Sequence, residues 1–221
     1  MKIAVIVFPG TNCDEDICKA IHICLGIKAE KIYFWQEISK KYDLVILPGG
    51  FSYGDYLRAG AIASKLNIIE NIKDLSKSSY ILGICNGFQI LTESNLLPGT
   101  LIKNNKSKFM CKNVDLVIES KETFLTGLQT KKNIKLPIAN KEGRYFCNNE
   151  DLKNLYNNNQ IVFKYRENIN GSVDNIAGII NKDRNIIGMM PHPERAVIPE
   201  HKSIDGYQLF VSILNHWAKS K

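Results

Sequence analysis

Tyr80-Ile-Leu-Gly-Ile-Cys85-Asn-Gly-Phe-Gln89 decides the reading of this chain. Tyr80 to Ile84 is a continuous apolar run, as a strand buried on both faces requires. Asn86 to Ser94 has helical spacing, so a strand meets a helix at Cys85. Gly83 and Gly87 lie two residues to either side, a G-x-C-x-G pattern with cysteine where a nucleophile elbow usually carries serine. Such a turn is strained, and small neighbours keep side chains clear of it. The thiol is then expected above the carboxyl end of the sheet, where open α/β folds bind ligands. The helix N-terminus beneath it favours the thiolate. The alternative is an inert core thiol between two ordinary glycines.

The same alternation extends outward. Residues 3–8 form an apolar run closed by Pro9-Gly10, and Thr11 or Asn12 is placed to cap a helix with Asp14, Glu15 and Asp16 in its first turn. Ile17, Ala20, Ile21, Cys24 and Leu25 recur at helical spacing before Gly26. Ile32–Trp35 and Leu44–Leu47 read as strands, and 62–77 as a helix. Strands alternating with helices give βαβ units and a parallel sheet. Beyond about residue 100, β-like runs at Val114–Ile118, Ile134–Ala139, Ile161–Tyr165, Ile176–Ile180 and Ile186–Met190 follow with few helices between, so some of these strands are expected to be antiparallel. Tyr207, Phe210, Val211, Leu214 and Trp217 mark an amphipathic C-terminal helix over 205–218. The expectation is one α/β domain over residues 1–221, with an open, mostly parallel but mixed sheet flanked by helices.

Composition narrows the function classes. The chain has 221 residues, 44% hydrophobic and 23% charged, with a formal net charge of +7. The charge permits anionic partners, but the lysine clusters lack interleaved aromatics or any nucleic-acid motif, so they read as solvated loops and no nucleic-acid partner is expected. The six cysteines show no C-x-x-C spacing, so no metal site is expected. The first apolar run is too short for a signal sequence, and no run reaches membrane-span length. A cytoplasmic protein with reduced thiols is expected.

Gly188-Met-Met-Pro-His192-Pro-Glu194-Arg195 supplies the partner for Cys85. Proline on both sides of His192 favours an extended backbone, and in an extended segment His192 and Glu194 share a face. A carboxylate can then hold one imidazole nitrogen while the other faces a thiol, the logic of a Cys-His-acid triad. His22 and His216 fall inside helix patterns and His201 in a loop, so they are weaker candidate bases. Pro48-Gly49-Gly50-Phe51 follows a strand, and successive glycines let backbone N–H groups converge on an anion. The amide of Gly50 or Phe51, with that of Asn86, is the candidate oxyanion hole.

In this order the motifs resemble a class I, triad-type glutamine amidotransferase domain, which has a flavodoxin-like sheet. The closer resemblance is to the glutaminase subunits of phosphoribosylformylglycinamidine synthase. It rests on Phe8–Asp16, Pro48–Gly60, Gly83–Leu91 and Gly188–Arg195, nearly the whole chain. The resemblance implies Cys85 as nucleophile, His192 as base and Glu194 as its orienter, with Gly50, Phe51 and Gln89 helping to bind glutamine. It also implies a larger synthetase subunit that receives ammonia and uses ATP and Mg, often with a small bridging subunit, and no cofactor in this chain. No Gly-x-x-x-x-Gly-Lys-Ser/Thr loop is present, consistent with ATP use elsewhere. The sequence departs from the family at Pro137-Ile-Ala-Asn140-Lys-Glu-Gly-Arg144, where a histidine is usual at position 140. Two other readings remain: a stand-alone Cys-His-Glu hydrolase or an amidotransferase subunit of another pathway, and a binding module that keeps the fold without the chemistry.

Overall fold

The computed structural model describes residues 1–38 and 41–221. β1 (Ile3–Val7) leads to α1 (Asp14–Leu25), β2 (Glu30–Tyr33) and β3 (Leu44–Leu47), followed by α2 (Asn67–Leu75), β4 (Tyr80–Ile84) and α3 (Asn86–Glu93). The second half adds β5 (Thr100–Ile102), β6 (Met110–Ile118), β7 (Asn133–Asn140), β8 (Arg144–Phe146), α4 (Asn149–Asn157), β9 (Ile161–Tyr165), β10 (Ile176–Ile180), β11 (Ile186–Met189) and α5 (Asp205–Lys219).

One sheet has the order β2-β1-β3-β4-β11-β10-β9-β6-β7, and β5 pairs with β8 apart from it. The first five strands are mutually parallel. The rest join antiparallel, so that within this sheet only β6 and β10 run against β4. The order β2-β1-β3-β4 is flavodoxin-like, and it reverses between β1 and β3, which opens a crevice at their carboxyl ends. Burial follows the sequence texture. β3 is wholly buried between layers, as a parallel strand covered on both faces must be. β7 alternates exposed and buried residues along most of its length, because its other face meets solvent.

Several boundaries differ from expectation for identifiable reasons. β2 ends at Tyr33, and Trp35 lies in a turn, its ring stacked on Tyr33. The expected 62–77 helix is a short 3-10 turn at Ala63–Lys65 and then α2. The α1 cap position is Cys13, with no side-chain cap bond. Thr11 instead turns back to accept the Phe8 N–H at 3.0 Å, which tightens the Pro9-Gly10 turn. In α5 the buried face is Gly206, Leu209, Phe210 and Ile213 rather than the Tyr207 stripe. The rotation brings Gly206 against the Pro193 carbonyl, where an added Cβ would stand 2.0 Å away.

α3 is buried from Asn86 to Thr92. Such a helix gains its stability from packing rather than from an amphipathic face. Gly87 allows it to descend onto β3, since a Cβ there would lie 1.9 Å from the Leu47 carbonyl oxygen. Backbone cannot yield as a side chain can. Gly87→Ala is therefore expected to destabilise the fold by about 3 kcal/mol or more, at or beyond the upper end of ordinary overpacking. Urea unfolding checks this, and a wild-type midpoint would contradict the packing described.

Candidate active site

Cys85 occupies the junction of β4 and α3 with φ 51° and ψ −104°. A left-handed backbone at a residue with a side chain costs about 1–3 kcal/mol and persists only where the surroundings enforce it. Here the Cys85 N–H donates to the Met189 carbonyl at 2.8 Å, and the Cys85 carbonyl accepts from Gln89 N–H at 3.1 Å. One bond ties the turn to β11 and the other starts α3. Cys85 is 4% exposed, and its sulfur lies 3.8 Å from the Ala139 carbonyl oxygen on β7.

β7 also anchors the histidine, because the His192 N–H donates to the Pro137 carbonyl at 2.8 Å. His192 is extended, as its prolines require, but Pro193 opens a 3-10 turn through Arg195. Glu194 therefore reaches the ring by curling back, not by the strand alternation expected, since proline's fixed φ suits the first residue of a helical turn. His192 Nδ1 and Glu194 Oε1 lie 2.6 Å apart, with both side chains almost wholly buried. Burial opposes charge on the ring. The Glu194 carboxylate, then the nearby thiols of Cys85 and Cys13, outweigh it and hold the His192 pKa well above the ordinary histidine range. A raised histidine pKa adds stability that is complete below the unfolded-state value and is lost as pH climbs through the folded-state value. The other histidines stand elsewhere: His22 is exposed on α1, His216 packs on Tyr80, and His201 accepts from the Val197 N–H at 3.3 Å.

Of the two expected oxyanion donors after β3, Phe51 is committed, because its N–H donates to the Gly10 carbonyl at 2.9 Å. Among the described residues the Gly50 amide has no such backbone partner; Gly50 stands opposite Thr11 in an isolated bridge whose hydrogen bonds are made by the flanking residues. The Asn86 amide begins α3 and has no acceptor within the helix. Asn86 Oδ1 accepts the Ser52 N–H at 3.2 Å, Asn86 Nδ2 donates to Gln89 Oε1 at 2.9 Å, and Gln89 Nε2 donates to the Glu142 carbonyl at 2.7 Å. These bonds join the elbow to the loop after β3 and to the turn after β7. The Phe51 ring is 42% exposed, beside Phe109.

Asn140 fills its position structurally. It is buried, and its backbone and side-chain oxygens accept from Asn104 Nδ2 at 3.1 and 3.3 Å. Asn104 Oδ1 in turn accepts the Gly143 N–H at 3.1 Å, so the two asparagines close the β7–β8 turn.

Four features escaped the sequence. Arg195 donates from Nη2 to Cys13 Sγ at 3.3 Å and from Nε to Asp16 Oδ2 at 3.1 Å. Cys13 joins His192 and Glu194 in a group whose possible ligand atoms all lie within 4.8 Å. Of these atoms, the Cys13 sulfur contacts the Arg195 guanidinium and His192 Nδ1 pairs with Glu194 Oε1. A cleft of about 320 Å³, lined in part by Pro137, Ala139, Arg195 and Lys202, reaches His192. Finally, Asp55 and Glu142 face one another. Burial, and then the Glu142 charge, push the Asp55 carboxyl up to about 6.

Fold and site together define an α/β protein with a cysteine elbow facing a buried His-Glu pair. Residues 1–217 match the CobB/CobQ-like glutamine amidotransferase domain. A chain of the PurLQS structure from Thermotoga maritima superposes with a TM-score of 0.85 at 41% identity, over 97% of this chain and 98% of that one. A putative GMP synthase subunit from Thermoplasma acidophilum has the same fold at 17% identity and TM-score 0.66, over 100% of this chain and 96% of its own. So does the Trypanosoma brucei CTPS glutaminase domain with bound acivicin, at 13% and 0.60, over 99% of this chain and 94% of its own. The chain belongs to the glutamine amidotransferase family.

A carboxyl whose folded-state pKa is raised costs stability as pH rises from its ordinary value of 3.8 to about 6. The Asp55 backbone is left-handed, at φ 54°, which asparagine tolerates. Asp55→Asn is expected to stabilise the protein at pH 7 by on the order of 1 kcal/mol, after discounting for partial solvent screening. The gain should fall to roughly a third of that at pH 4.5, where the shift is only partly expressed. Thermal melts at both pH values check this, and an equal shift at both would rule out the titration as its cause.

Proposed function

We propose that this chain is the glutaminase subunit of phosphoribosylformylglycinamidine synthase in purine biosynthesis. The observation that carries the reading is a strained Cys85 elbow beside the buried His192–Glu194 pair, in a chain 41% identical over 97% of its length to a chain of PurLQS. The Cys85 thiolate attacks the side-chain amide carbon of glutamine. The N–H groups of Gly50 and Asn86 receive the developing oxyanion, and Phe51 and Gln89 border the bound substrate. His192, oriented by Glu194, gives its proton to the departing ammonia. It then takes a proton from the water that attacks the thioester, and glutamate leaves.

Ammonia released here serves a larger synthetase subunit that converts formylglycinamide ribonucleotide to formylglycinamidine ribonucleotide. ATP and Mg belong to that partner, and a small third subunit bridges the two. Residues 1–221 act as one domain. All six cysteines are free, and no helix among the described residues is long and apolar enough to cross a membrane; we place the protein in the cytoplasm.

Cys85→Ala is expected to reduce glutamine hydrolysis by at least about 10⁴-fold, as loss of a nucleophile does in a triad. Ammonia-dependent synthesis by the reconstituted complex should persist. Glutaminase activity and ammonia-fed turnover are measured on the co-purified subunits. Full glutaminase activity in the variant would exclude the assignment, and fast glutamine turnover by the isolated wild-type chain would favour a stand-alone hydrolase.

A further inference from the structure

The fold carries a second cysteine to the imidazole from the other end of the sequence. Cys13 is 3% exposed at the boundary of α1, and its N–H donates to the Gly49 carbonyl at 3.1 Å. A Cβ added to Gly49 would lie 2.6 Å from His192 Cε1 and 3.1 Å from Cys13 Sγ. Imidazole edge and thiol thus press on one bare stretch of backbone. On its far side the sulfur accepts from Arg195 Nη2 at 3.3 Å, and Arg195 is held in turn by Asp16 of α1. Cys13 therefore packs near the ring and touches the Arg195–Asp16 ion pair as well.

We propose that Cys13 is a positioning residue for glutamine hydrolysis, its thiol and the Arg195–Asp16 bridge holding the His192–Glu194 pair in line with Cys85. This rests on the glutaminase reading above. His192 Nε2 and Glu194 Oε2 are buried without hydrogen-bond partners, so a single hydrogen bond, Nδ1 to Oε1, joins the two side chains. One bond fixes a distance but leaves the pair free to rock about it, and packing must supply the remaining restraint. The side chain fills space against the ring, while Glu194 holds Nδ1.

The groups acting on the ring are Glu194 from its own segment, Cys85 from the elbow and Cys13 from α1; Arg195 and Asp16, the other charged groups beside them, pair with each other. Removing the Cys13 thiol takes away one contact that favours the protonated ring. The ring then loses its proton at lower pH, and with it the acid that protonates ammonia.

The test is glutamine hydrolysis by the co-purified complex across pH, with Cys13→Ala, Cys13→Ser, Arg195→Gln and Cys85→Ala compared. Cys13→Ala should lower kcat about tenfold, the scale at which outer supporting groups act. KM for glutamine should stay within about twofold, because the thiol does not reach substrate. The alkaline limb of kcat should move to lower pH, and Cys13→Ser should recover most of the loss. If Cys13→Ala does not fold, Arg195→Gln, which frees the sulfur of its guanidinium contact, should lower kcat by a smaller factor with KM unchanged. A wild-type kcat and an unmoved alkaline limb in folded Cys13→Ala or Arg195→Gln would overturn the proposal. So would equal losses in the Ala and Ser variants with a lowered Tm and an unmoved limb, which would mark Cys13 as structural only. An active Cys85→Ala would instead overturn the glutaminase reading itself.

Discussion

The left-handed backbone at Cys85 is the constraint on which the rest of the site depends. A residue with a side chain leaves φ 51° unless neighbours forbid it. The neighbours here are the parallel pairing of β4 between β3 and β11, the bond to Met189 and a buried α3. The strain is small against the apolar surface these elements bury. In return the thiol stands clear of both strand and helix, at the amino end of α3 where partial positive charge gathers. Shift the elbow by one residue and a side chain of Ile84 or Asn86 would take the place of the thiol. The relaxed backbone and the site are therefore alternatives.

The part of the fold nearest this constraint was the part most legible in sequence. A strand buried on both faces must be apolar throughout, and β1, β3 and β4 announce themselves that way. β5 and β8 have three residues each, too few for any period to register. α4 buries only Leu155, so no stripe marks it. Its readable signal was the cap, where Asn148 accepts the Asp151 N–H at 2.7 Å with acids in the first turn. In α5 the amphipathic period was right and its phase was wrong. Gly206 contributes no side chain to a hydrophobic pattern, yet closeness to Pro193 puts it on the buried face, at its amino end.

Legibility of the site followed chain distance. His192 and Glu194 are two residues apart, and the intervening proline writes their geometry into the sequence. The elbow is equally local. Cys13, Arg195 and Asp16 meet only because β1 and β11 lie in one sheet with β3 and β4 between them. No spacing rule joins a thiol in the first helix turn to a guanidinium nearly the whole chain away. Phe51 shows the opposite failure. A glycine-rich turn offers several amides, and which one stays open depends on Gly10, which reaches it from another strand end.

The charges around His192 explain why these long-range contacts matter. A buried pair gains less from attraction than it loses in hydration unless its geometry is good and its remaining valences are answered. Glu194 answers the ring along Nδ1, and the thiols answer it elsewhere. Arg195 is the nearest cation in sequence and would oppose protonation of the ring if its charge faced the imidazole directly. Its guanidinium instead pairs with Asp16 at 3.0 Å and donates to the Cys13 sulfur at 3.3 Å. The first turn of α1, set by the Pro9-Gly10 turn, is thus part of the electrostatics of a histidine at the other end of the chain.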